Sequence, residues 1–182
     1  MGTPRFFFPD LIQLKILYRF SLVVLLSILL LGINSSVHAE EFPTIEHATS
    51  QPLEQFWVNP GFYSFHFQTD KGLNNSNPGI GVEYRYSTAS ALTLGQFYNS
   101  ARETSHYAGL YWEPLTWGKV RMGAVVGGFD GYPNMLNGGW FLALIPIVSM
   151  EYERIGANIA FVPTYQDRLY GAISVQLKFK LY

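Results

Sequence analysis

The sequence contains no cysteine, so it can build neither a disulfide framework nor a thiolate metal site. Charged residues make up only 14% of the chain and the formal net charge is -1, which leaves no electrostatic footprint for nucleic acid or an acidic substrate. The four histidines, at 38, 47, 66 and 106, have no ligand spacing, so no metal is expected. The glycines of "NPGIGVEY" (77–84) are followed by no helical pattern, which excludes a phosphate-cradling turn, and no cofactor is expected. Long apolar runs are also scarce. The one such run, "FSLVVLLSILLLG" (20–32), is short for a spanning helix.

That run has a different reading. Arg5, Lys15 and Arg19 precede it, and "VHA" (37–39) follows with small residues at a cleavage position. A positive region, a short apolar region and a small-residue site in this order predict a secretory signal over 1–39, cleaved after Ala39. The mature chain would then run from Glu40 to Tyr182, one domain's worth of sequence.

What the chain has in abundance is aromatic residues, at 16%, and 17 glycines. They fall in alternating patterns. In "FYSFHFQT" (62–69), Tyr63, Phe65 and Phe67 alternate with Ser64, His66 and Gln68. "GIGVEYRYS" (79–87) sets Ile80, Val82, Tyr84 and Tyr86 against Gly81, Glu83 and Arg85. "LYGAISVQLKFKL" (169–181) continues the same way. Period two over such lengths predicts eight strands near 61–69, 79–87, 91–99, 105–113, 119–129, 140–152, 155–163 and 169–181. Residues 40–60 form an N-terminal segment before them. The connections after the second, fourth and sixth strands are short, and the others are longer. Short turns on one side, longer loops on the other and apolar residues on outward faces predict an all-β protein. The expected fold is an eight-stranded antiparallel transmembrane β-barrel over 61–182, in the outer membrane of a Gram-negative bacterium.

With the aromatic rows outward, the inward positions divide by height. Near the short-turn end they are polar and charged, with Arg121, Ser149, Glu151, Asn158, Gln176 and Lys178. Near the long-loop end they are apolar or small, with Val125, Gly127, Phe141, Ala143, Ile145, Ala160 and Ala172, joined by Gly81 and Gly95. A barrel of this size is filled by side chains or holds one small ligand. An apolar pocket suited to a hydrocarbon chain is one expectation, and a core simply packed with Ile and Phe is the other. Two prolines stand in strand-like runs, Pro146 in "ALIPIVSMEY" (143–152) and Pro163 in "ANIAFVPTY" (157–165). Proline gives no N–H to a ladder, so each is expected to weaken pairing beside the pocket and open a lateral way in, unless it only marks a kink at the rim.

"LIPIVSMEY" followed by "AFVPTY" resembles the late strands of the outer-membrane lipid A palmitoyltransferase (PagP-type) barrel family. "FYNSARETSHYAGLYWEPLTW" (97–117), "RMGAVVGGFDGY" (121–132) and "QPLEQFWVNPGFYSFHF" (51–67) extend the resemblance over most of the mature chain. The resemblance implies a short amphipathic helix before the barrel and prolines flanking lateral openings. It also implies an interior that holds the acyl chain of a phospholipid donor, which is moved to lipid A or a related acceptor. It further implies a His, an Asp and a Ser at the outer rim. Carried over, the Asp–Ser pair falls on Asn99 and Ser100, and the His on or near His66. Asparagine replaces the carboxylate, so Glu83, inward on the neighbouring strand, is a substitute; an ungapped alignment puts Ser64 at the His position, and Ser105 and His106 are further candidates. The partners implied are membrane lipids, and a monomer is expected.

Two other readings remain. "HFQTDKGLNNSNPG" (66–79) faintly resembles the lipid A deacylase barrels, whose signature lies near the C-terminus instead. A non-enzymatic small barrel with an adhesion or shielding role is the other. All three predict a heat-modifiable membrane protein whose mature form begins at Glu40. N-terminal sequencing and fractionation check this, and recovery as a soluble periplasmic protein would remove the barrel.

Overall fold

The computed structural model describes residues 43–182. The expected signal segment and residues 40–42 lie outside them. The strands are β1 (Ile45–His47), β2 (Pro52–His66), β3 (Ser76–Ser87), β4 (Ser90–Tyr98), β5 (Thr104–Trp117), β6 (Val120–Phe129), β7 (Phe141–Tyr152), β8 (Ile155–Val162) and β9 (Ala172–Lys180). From β2 to β9 each strand pairs antiparallel with the next, and β9 pairs with β2. The ring of eight is closed. Its turns at Thr88–Ala89, Gly118–Lys119 and Glu153–Arg154 are tight, and the other connections are the long ones. No helix among the described residues is long and apolar enough to cross a membrane, which says nothing of crossing by strands.

The helix expected before the barrel is corrected wherever it can be seen. No α-helix occurs in residues 43–60; β1 adds to the end of β5, with Ile45 opposite Trp117, and β2 begins at Pro52 rather than at 61. The reason is ladder demand. Phe56, Trp57 and Val58 pair with Tyr84, Glu83 and Val82 of β3, and without them that stretch of β3 would present an open edge. Trp57 and Asn59 point inward and are buried.

The outer face is apolar. Ile80, Leu94, Trp112, Leu142, Leu144 and Phe161 all stand exposed, Leu142 at 86%. A contiguous belt of this kind is a liability in water and fits a barrel surrounded by hydrocarbon.

Apart from short irregularities such as those at Pro52–Gln55 and Trp112–Leu115, the ladder has two wider lapses. β7 pairs with β6 along its whole length, including Pro146 opposite Ala124, but its pairing with β8 begins only at Ile147–Ala160. Phe141–Pro146 therefore have no ladder partner on the β8 side, and Pro146 has no N–H to offer one. Pro163 differs from expectation. It lies just beyond β8, whose pairing with β9 runs on to Val162–Ala172, so it interrupts no ladder. Extending the β7–β8 register would set Pro163 opposite Leu144, so the two prolines border one seam. The second lapse is at Pro60, where pairing of β2 with β9 is missing between Val58 and Tyr63. Gly61 takes φ +105° at the accompanying bulge with β3, and a Cβ there would fall 2.2 Å from the Asn77 carbonyl oxygen.

The short-turn half is filled by ion pairs. Arg85 Nη2 lies 2.7 Å from Glu113 Oε2, and Lys178 Nζ lies 2.7 Å from both Glu83 Oε1 and Glu151 Oε1. Arg121 Nη2 reaches Glu151 at 2.5 Å, and the Ser149 hydroxyl donates to Glu113. Three carboxylates thus meet three cations and the formal charge cancels. The Trp57 ring lies under Lys178 Nζ at 4.8 Å. Breaking such a cluster leaves an unpaired buried charge. Arg85→Met should lower stability by about 3–5 kcal/mol, because Glu113 and Glu83 then lose their shared cation. Urea unfolding of the refolded barrel measures this, and an unchanged midpoint would show the network to be energetically idle.

Candidate functional site

Above the ion network the interior opens into a cavity of about 100 Å³. It is smaller than the roughly 150 Å³ of an engineered apolar cavity that admits benzene, so a whole acyl chain would have to widen it. Val125 (β6), Phe141, Ala143 and Ile145 (β7), Ala160 (β8) and Ala172 (β9) line it, as the alternation predicts. Aromatic rings form the opposite wall. Phe62 stands edge-on to Phe97 at 5.0 Å and to Tyr107 at 5.8 Å, and Phe129 stacks on Phe141 at 6.1 Å.

The inward glycines play a different part from the one expected. Gly81, Gly95 and Gly127 do not line the cavity. A Cβ on Gly81 would lie 2.0 Å from the Tyr107 hydroxyl, and one on Gly95 would lie 2.8 Å from it. The missing side chain of Gly81 makes room for Tyr107 of β5, while Gly95 lies first against the β3 backbone, with the Gly81 Cα and the Ile80 carbonyl oxygen 2.6 Å from where its Cβ would be. Gly127 is small because its Cβ would meet the Ala108 carbonyl oxygen of the neighbouring strand at 2.7 Å.

His66 and Ser100 both line the mouth of the cavity. His66 is the last residue of β2, paired with Ala172, and Ser100 opens the turn after β4. One staple positions both. Asn74 donates its backbone N–H to the Ser100 carbonyl at 3.0 Å and its amide to the Asn99 carbonyl at 3.2 Å, tying the loop after β2 to the turn after β4. Next to Asn74, Asn75 holds its Oδ1 2.8 Å from His66 Nδ1. This contact engages Nδ1 and leaves Nε2 without a hydrogen bond among the described residues. Burial raises the Tyr132 hydroxyl above its ordinary pKa, and a hydrogen bond with the Ser100 side chain acts in the opposite direction.

The supporting residues expected for His66 are elsewhere. Asn99 is 0% exposed and its side chain is fully committed: the amide donates to Ser105 Oγ and the Gly131 carbonyl, both at 2.8 Å, and the oxygen accepts from the N–H groups of Ala101 and Glu103. It organises the turn and has no hydrogen bond left for an imidazole. Glu83 is spent on Lys178, Arg85 and Asn158 in the ion network. Asn75, the residue that does orient His66, sits in a loop with no periodicity to single it out. Ser64 is buried between Asn77 Oδ1 and Ser174 Oγ, at 2.8 Å from each. Ser105 and His106 point to opposite faces. Ser105 is buried, while His106 is exposed with Nδ1 3.1 Å from Asp130 Oδ2.

The sequence matches no protein-family model and no curated protein. The palmitoyltransferase resemblance therefore rests on the residues quoted for it.

The packing of Tyr107 against Gly81 gives a direct test. Gly81→Ala should destabilise the barrel by about 1–3 kcal/mol through overpacking. Tyr107→Phe, which removes the clashing oxygen, should recover most of that loss in the double variant. Equal loss in the single and double variants would show that Gly81 is needed for another reason.

Proposed function

We propose that this protein is a small outer-membrane barrel that admits a lipid's acyl chain sideways into its cavity and transfers it to a second lipid, an acceptor of the lipid A type. One observation carries the reading: the seam and the cavity share residues. Ile145 and Ile147 of β7 and Ala160 and Val162 of β8 border the unpaired stretch at Pro146 and also line the cavity. A chain lying against the apolar belt would meet an opening in the wall at the height of an apolar interior.

The rim holds a hydroxyl and an imidazole, the two groups that acyl transfer needs within reach of each other; at rest the Ser100 hydroxyl is engaged with Tyr132 and His66 with Asn75. In this reading His66 Nε2 takes the proton of Ser100 as Oγ attacks the ester carbonyl. The ester C–O bond breaks and the departing lysolipid oxygen takes that proton from the imidazolium. The acceptor hydroxyl then attacks the acyl-serine, giving its proton to Nε2, and Ser100 regains it. Asn75 would hold the ring but cannot stabilise imidazolium as a carboxylate does.

Mass spectrometry of outer-membrane lipids from cells with and without the gene tests the activity. An added acyl chain supports transfer, a lost chain would indicate hydrolysis, and no change would leave a non-enzymatic barrel. Ser100→Ala and His66→Ala should each abolish the added chain while the protein still shifts on heating. Pro146→Ala restores an N–H at the seam, a bond worth about 0.5–1.5 kcal/mol net in water. The variant should melt at the same or a higher temperature and transfer more slowly, since β7 can then pair further with β8. Lower stability with an unchanged rate would show that Pro146 only shapes the strand.

A further inference from the structure

The cavity ends on a polar pair that a plain hydrocarbon cannot use. Asn158 of β8 and Gln176 of β9 are register partners, both line the cavity, and they are 3% and 1% exposed. Asn158 Nδ2 donates to Glu83 Oε2 at 3.1 Å and to Gln176 Oε1 at 3.0 Å. The Glu83 carboxylate fixes which end of the Asn158 amide is nitrogen, because the flipped amide would set oxygen against oxygen. Gln176 is fixed in turn, because its own flip would set two NH2 groups together. What remains is one acceptor, Asn158 Oδ1, and one donor, Gln176 Nε2, both buried and without a direct hydrogen bond among the described residues, with the Tyr107 hydroxyl the protein group that faces Gln176. Buried polar atoms are seldom left unpaired.

Resting on the reading that the cavity takes a chain, we propose that this floor recognises a hydroxyl at the chain's deep end. A single O–H satisfies both atoms: it donates to Asn158 Oδ1 and accepts from Gln176 Nε2. One wall leading down to the pair is apolar, with Val125, Ile145, Ile147 and Ala160, and Thr93, Tyr107 and Ser174 add hydroxyls to the rest of the lining, so the chain above the terminal hydroxyl is taken as hydrocarbon. The ligand class is an acyl chain carrying a terminal or near-terminal hydroxyl. A trapped water would offer the same chemistry from another source.

The test uses the whole barrel refolded in detergent and a length series of fatty acids, each paired with its ω-hydroxy counterpart, dodecanoic and 12-hydroxydodecanoic acid among them. Binding is read by displacement of a fluorescent fatty acid. At the best-fitting length the hydroxy acid should bind about tenfold more tightly, the worth of one or two buried hydrogen bonds. Gln176→Met removes the free donor but keeps the Asn158–Glu83 bond, so it should fold and lose the preference. Asn158→Leu should lose it too, though that variant also deprives Glu83 of a donor. Equal or weaker binding of the hydroxy acid to the unaltered protein would overturn the proposal and assign the pair to a water. A preference that survives Gln176→Met at full size would overturn it as well. If neither acid binds at any length, the chain-binding reading of the cavity fails with it.

Discussion

The carboxylate of Glu113 and its neighbours make the rest of this interior possible. Inward positions on strands from around the ring converge here: Glu83 and Arg85 from β3, Glu113 from β5, Arg121 from β6, Glu151 from β7 and Lys178 from β9. Glu83, Arg85, Glu113 and Lys178 are fully buried and Arg121 and Glu151 largely so, at a cost that their partners must offset, and with three of either sign no member can be removed singly without leaving a charge behind. That mutual dependence ties distant strands into one unit and closes the short-turn end. The long-loop half is then free to be apolar, because the ions have already fixed the ring's geometry.

Backbone pairing imposes the second constraint. In hydrocarbon an unmade ladder bond has no water to replace it, so a barrel should pair without interruption. Its two widest departures from that rule are at Pro146 and at Pro60, and in both places the residue involved has no N–H to strand. Proline limits the penalty of a gap to the partner's carbonyl. A break between β7 and β8 therefore sits where its penalty is lowest, beside Ile145 and Ile147, the cavity's own wall.

How much of this was legible in the sequence depended on whether a residue's role was local. Alternation in 62–69 and 79–87 set which side chains point inward, and the structure agrees, because period two follows from the strand itself. The start of β2 was not legible. Two prolines and several polar residues in "QPLEQFWVNP" blur the alternation, and only the demand of β3 for a partner makes it a strand. Pro163 read like Pro146, but whether a proline near a strand end lies inside a ladder is decided by the partner's register, which no single strand carries. Inward glycines likewise announce space without naming its occupant. At Gly81 the occupant is Tyr107, whose place is set by the register of β3 on β4 and of β4 on β5 and not by β3 alone.

The asparagines show what separates a structural amide from one available to a ligand. A primary amide has two donors and at least two acceptor sites, and counting how many are used assigns its role. Asn99 uses all of them on Ser105, Gly131, Ala101 and Glu103, which makes it a staple however suggestive its place beside Ser100. Asn75 spends its side chain on His66 Nδ1 and so holds the ring. Asn158 is the reverse of Asn99. Glu83 and Gln176 occupy its nitrogen and thereby forbid the flip that might have found its oxygen a partner. The ion network thus reaches beyond its own charges: by holding the Glu83 carboxylate in place, it orients the amides above it and sets the polarity that the end of the cavity presents.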